Sequence, residues 1–150
     1  MPGTTGAVMR AGLVDLDEML DYRAGQSGPY RQTMPGFDAE YADFVDYILR
    51  CTHRIWEQKG LGLIDTHYSA DCLIHTLSGE VSGIDAVIAN TAATLAGFPD
   101  RTLYGEEVVW TGADGGFFSS HRITSHMTNR GWSEFGAPTH RHATVRTIAD

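Results

Sequence analysis

The chain has 150 residues, with 11 Lys+Arg against 19 Asp+Glu, a formal net charge of −8 with its seven His neutral. That length suits one domain, and 42% apolar with 10% aromatic residues supplies a core, which sets aside a disordered chain. No apolar run nears the roughly 18 residues of a membrane span, and no basic-then-apolar leader opens the chain.

Two cysteines, Cys51 and Cys72, make neither a disulfide framework nor a CxxC metal or redox motif, so a reducing cytoplasm is the expected location and both read as core residues. Acidity is concentrated in residues 37–107, with twelve acidic and four basic residues. Such a surface repels phosphate, which argues against nucleic acid as a partner. Lys59 is the single lysine and reads as a helix end, so Schiff-base chemistry has no good candidate.

Residues 1–36 are rich in Gly and Pro and read as an N-terminal arm, partly helical or disordered. Within it Leu13, Leu16, Leu20 and Arg23 fall at helical spacing. The domain proper is expected over residues 37–150. Phe37, Tyr41, Phe44, Val45, Ile48 and Ile55 recur at three- and four-residue spacing, with Asp38 and Glu40 in the first turn and Lys59-Gly60 at the end, which predicts one long amphipathic helix. Leu61 to Ile64 predicts a second, short helix leading into His67-Tyr68. Cys72 to Leu77 then reads as a strand, and Ser78-Gly79-Glu80 as a turn into Val81. Ser82 followed by Asp85 has the form of a capping box, opening a helix whose apolar face is Ile84, Val87, Ile88 and Leu95 and which stops at Gly97. From Phe98 the period becomes alternating. Arg101 to Thr111 and Phe117 to Thr128 read as strands around a glycine-rich hairpin loop, and a loop from Asn129 to Thr139 precedes a last strand from about Arg141. Helices first and antiparallel strands after define an α+β class.

This order, with the pieces Phe44 to Trp56, Leu61 to Tyr68, Ser82-Gly83-Ile84-Asp85-Ala86-Val87, Phe98-Pro99-Asp100 and Gly136-Ala137-Pro138-Thr139-His140-Arg141, resembles the SnoaL-like branch of the nuclear transport factor 2-like (NTF2-like) superfamily over about residues 37–150. The resemblance implies a cone-shaped, curved antiparallel sheet wrapped around a long N-terminal helix, with an apolar pocket for a small organic ligand. It also implies a homodimer through the sheet. The branch includes polyketide cyclases, isomerases and hydrolases acting on apolar carbonyl compounds or esters, and also non-catalytic ligand-binding or dimerisation domains. Its cyclases use an Asp on the final strand, assisted by a His on the strand before. Counted forward from Pro138-Thr139, the assisting position falls at Ala149 and the Asp would lie past Asp150, so neither is matched. The pattern stops inside a strand at Thr147 to Asp150, which predicts a shortened chain lacking its last strand, or a partner that covers the edge.

Alternation along the strand Phe117 to Thr128 sets Phe117, Ser119, His121, Ile123, Ser125 and Met127 on the more apolar face, the expected pocket side. His121 there is the leading acid/base candidate, because desolvation lowers an imidazole pKa and leaves a neutral ring to accept or donate a hydrogen bond. The alternative is a core histidine satisfied by the backbone or a hydroxyl. His75, among Leu73 and Leu77, and Tyr68 are expected to assist, and Trp56 and Trp110 to line the pocket, each with ordinary packing as the alternative. Trp132 and Phe135 lie on a glycine-rich loop suited to a lid or a subunit contact. No metal site is expected: His126 lies on the opposite face from His121, and His140 with His142 lacks a third ligand. No Gly-rich phosphate loop, GxSxG elbow or HExxH is present, so no cofactor is expected.

Overall fold

The structure is a computed structural model that describes residues 5–8, 34–113 and 116–150. In chain order the elements are β1 (Thr5–Val8), α1 (Phe44–Trp56), α2 (Gly62–His67), β2 (Leu73–Thr76), β3 (Gly79–Ser82), α3 (Ile84–Gly97), β4 (Thr102–Ala113), β5 (Gly116–Thr128) and β6 (His142–Ala149). The class is α+β. An antiparallel four-stranded sheet has the order β1-β4-β5-β6, and β2 with β3 forms a separate antiparallel pair. No helix among the described residues is long and apolar enough to cross a membrane.

The described residues divide into two compact units, one drawn from Met1–Thr52, Leu103–Ser125 and Val145–Asp150, the other from His53–Thr102 and His126–Thr144. In the first unit Phe44, Val45 and Leu49 of α1 pack with Val108 and Trp110 of β4, and Phe37, Tyr47, Ile48 and Phe117 close around them. The rings interlock: Phe44 stacks on Phe117 at 4.6 Å between centroids and meets Trp110 edge-on at 6.3 Å. Contacts of this kind add about 0.5–1.5 kcal/mol each beyond area burial. In the second unit Ile55, Ile64 and Val87 form the buried centre, with Trp56, Ile74, Val81, Ile84 and Ile88 packed against it.

Several expectations change. The first helix begins at Phe44, not near Phe37, because the Oδ1 of Asp43 accepts the Asp46 N–H at 2.8 Å and the Asp43 carbonyl accepts the first helical bond, from Tyr47. Phe37 and Tyr41 lie in turns ahead of the helix and still reach its aromatic cluster. At the other end Lys59 takes a left-handed φ of 60° while the Gly60 N–H bonds the Arg54 carbonyl, a C-terminal closure in which Lys stands where Gly is usual.

The Ser82 capping box does not form. Ser82 is the last residue of β3, and the N-cap of α3 is Gly83 at φ 83°, with no side-chain cap. Of the segment read as a turn into Val81, Ser78 lies in the turn, while Gly79 and Glu80 belong to strand β3, paired with β2 in the register Leu73↔Ser82 to Thr76↔Gly79. The arm contributes a strand: β1 pairs antiparallel with β4, Thr5 opposite Trp110 and Val8 opposite Glu107. The helical spacing at Leu13 to Arg23 lies outside the described residues.

In β4 the buried positions change parity, from Leu103 and Gly105 to Val108 and Trp110. Glu106 and Glu107 between them both reach Arg122 on β5, at 2.5 and 3.4 Å. The change of parity turns the buried side chains of β4 from one face of the strand to the other between Gly105 and Val108.

Candidate functional site

On β5 the expected alternation is present. Ser119 and Phe117 are half-buried and His121, Ile123 and Ser125 buried, while Phe118 and Arg122 on the other face are exposed. Thr124 departs from it: on the outer face, it is buried, and its hydroxyl donates to Glu106 at 2.5 Å. The Thr124 and Arg122 hydrogen bonds hold the Glu106 carboxyl below the usual carboxylate range.

His121 is 7% exposed, and its Nε2 has no hydrogen-bond partner. Burial pushes its pKa down to about 4, because an imidazolium there would lose its hydration. At neutral pH the ring is uncharged. In the Nε2–H tautomer it can donate to an oxygen, and in the other tautomer it can accept from a hydroxyl. At Nε2 the alternative of a core histidine satisfied by the backbone or a hydroxyl is not met, and a buried polar atom without a partner is uncommon. Phe117 and Trp110, read as lining residues, belong to the aromatic core of this unit.

The same unit holds a buried polar network that the sequence reading did not single out. Asp46, 1% exposed, accepts from the Arg50 Nη2 at 3.1 and 3.3 Å and from the Ala42 N–H at 2.8 Å. Arg50 also reaches Glu40 at 3.5 Å and lies over the Tyr41 ring. The i,i+4 placement of Asp46 and Arg50 inside an amphipathic helix was the available signal.

The remaining sequence candidates fall in the second unit. His75 is not among buried apolar neighbours: its side chain is 71% exposed and pairs with Glu80 at 3.3 Å across the β2–β3 hairpin, and Leu73 and Leu77 on its face are exposed as well. Ile74 and Val81, of the opposite parity, pack inward. Tyr68 caps the C-terminal end of α2, its N–H on the Ile64 carbonyl, with its side chain partly open to solvent. Trp56 packs against the core of this unit and carries the Arg101 guanidinium over its ring at 4.5 Å.

Phe98-Pro99-Asp100 ties the entry of β4 to the end of β5, the Thr128 N–H donating to Asp100 Oδ1 at 2.8 Å. Trp132 and Phe135 are exposed on a loop that is firmly anchored. The N–H groups of Arg130 and Gly131 donate to the Gly97 carbonyl, and the Asn129 amide bonds Gly131, Ser133 and Thr139. His126 lies 3.1 Å from the Thr144 hydroxyl and His142 3.4 Å from that of Thr128. Among the described residues no group of three or more His, Cys, Asp or Glu is placed to hold a metal ion. No family model matches the chain, and no curated protein and no solved structure is significantly similar to it.

Proposed function

We propose that the chain is a SnoaL-like domain of the NTF2-like superfamily, a curved sheet around a helix whose pocket takes a small apolar organic ligand bearing a carbonyl or ester oxygen. The element order and the laying of α1 on the sheet in the first unit support the fold. The unpartnered, buried Nε2 of His121 carries the function: it is a polar atom on an apolar face, and a ligand oxygen would supply the missing hydrogen bond. The neutral imidazole then polarises the carbonyl as a hydrogen-bond donor, with Ser119 and Ser125 on the same face. Association of two copies through the outer sheet face, where Phe118 and Ile148 are exposed, belongs to the same reading, as does a cytoplasmic location.

The second reading, a non-catalytic binding domain, is favoured by one observation. An imidazole with a pKa of about 4 is a weak general base at neutral pH, and base catalysis works best with a pKa near the working pH. Aromatic ketones and esters screened by thermal shift and by turnover separate the two. Binding that is weakened about tenfold in His121→Leu and kept in His121→Gln supports the His121 contact. Equal binding by wild type and His121→Leu removes it, and turnover decides between enzyme and binding domain.

A further inference from the structure

The surroundings of His121 also set the charge of what it can hold, an inference that rests on His121 being the ligand contact. On the buried face of β5 in the first unit stand Phe117, Ser119, His121, Ile123 and Ser125, none of which carries a charge at neutral pH. Among the described residues of that unit the other cations are Arg50, Arg122 and Arg146. Arg50 is buried with its Nη1 and Nη2 paired to Glu40 and Asp46, which compensate its charge, although its Nε–H has no hydrogen-bond partner. Arg122 is exposed on the opposite face and held by Glu106 and Glu107, and Arg146 is exposed on β6.

A carboxylate brought to His121 would therefore lose its hydration against an imidazole and hydroxyls, with no uncommitted cation among those three to compensate it. The ring itself is a poor substitute, because holding a proton at pH 7 on a group with a pKa of about 4 is disfavoured roughly a thousandfold. A ketone, ester or alcohol oxygen meets neither penalty and needs only the one hydrogen bond that Nε2 lacks.

We propose that the His121 site selects an uncharged ligand with a hydrogen-bonding oxygen and excludes the matching carboxylate. The test uses the full chain with ¹⁵N-labelled histidine and two probes of one shape, 2-acetonaphthone and 2-naphthoate, at pH 7. The His121 ring signals are assigned by their loss in His121→Gln. The expected result is that the ketone shifts those signals and the carboxylate binds at least about 100-fold more weakly. Carboxylate binding of equal strength, or binding accompanied by protonation of the His121 ring, overturns the selectivity and leaves the ligand contact standing. If neither probe moves the His121 signals, the contact itself fails, and the selectivity fails with it.

Discussion

Asp43 decides where α1 begins. Its side chain takes the Asp46 N–H, one of the donors a helix start leaves unsatisfied, and Asp46 in turn accepts the Ala42 N–H while holding Arg50. Asp43→Ala is expected to lower stability by about 1 kcal/mol in urea unfolding, with Asp43→Asn close to wild type because the amide oxygen still caps. An unchanged midpoint in Asp43→Ala would show that the cap contributes nothing. Asp38, Glu40, Asp43 and Asp46 all precede or open the apolar run, so the sequence offers several starts. The choice falls on Asp43 because Phe37 and Tyr41 reach the aromatic cluster from turns, without helical backbone.

At the scale of elements, the end of α3 and the loop after β5 are built on close backbone approach. A Cβ at Gly131 would sit 2.6 Å from the Ala96 carbonyl oxygen, and the bonds of Arg130 and Gly131 to Gly97 would have to open to admit it. Gly131→Ala should cost about 2 kcal/mol, the usual scale for forcing extra volume into packed structure. Gly62→Ala is the contrast. That glycine opens α2 with nothing within 4 Å of the added methyl, so alanine should stabilise by about 0.5 kcal/mol through the unfolded chain. Thermal unfolding of the two variants checks both signs.

Strand length explains why one histidine face was readable and another was not. β5 has 13 residues, and its apolar set shows clearly against the polar one, so His121 could be assigned to the buried side. β2 has four residues with leucine or isoleucine on both parities, so alternation says nothing, and only packing puts Ile74 inward and His75 in solvent. The change of buried parity at Glu106-Glu107 was equally hidden, since a one-residue change in an alternating segment looks like ordinary sequence variation.

For the whole molecule, His121 links stability to pH. Its pKa is lowered in the folded state from an ordinary value of 6.5 to about 4. Above pH 6.5 the ring is neutral in both folded and unfolded chains and adds no pH dependence. As pH falls from 6.5 towards 4 the unfolded chain takes up a proton that the folded chain refuses, so stability drops, by a total of about 3 kcal/mol. Urea unfolding at pH 7, 5.5 and 4.5 should show this loss in wild type and a smaller one in His121→Gln. Parallel curves would mean that the ring is not desolvated in solution.

The sequence by itself determined the α+β class, the run from α1 and α2 through β2 to α3 and then the long strands, the hairpin from β4 to β5, the stop of α3 at Gly97 and the buried face of β5. Each follows from local periodicity or turn chemistry acting over a handful of neighbouring residues. Tertiary structure decided the start of α1, the pairing of β1 with β4, the change of buried parity in β4, the solvent position of His75 and the lone Nε2 of His121. Those depend on which distant groups meet, and whether a buried nitrogen finds a partner is a property of the packed molecule.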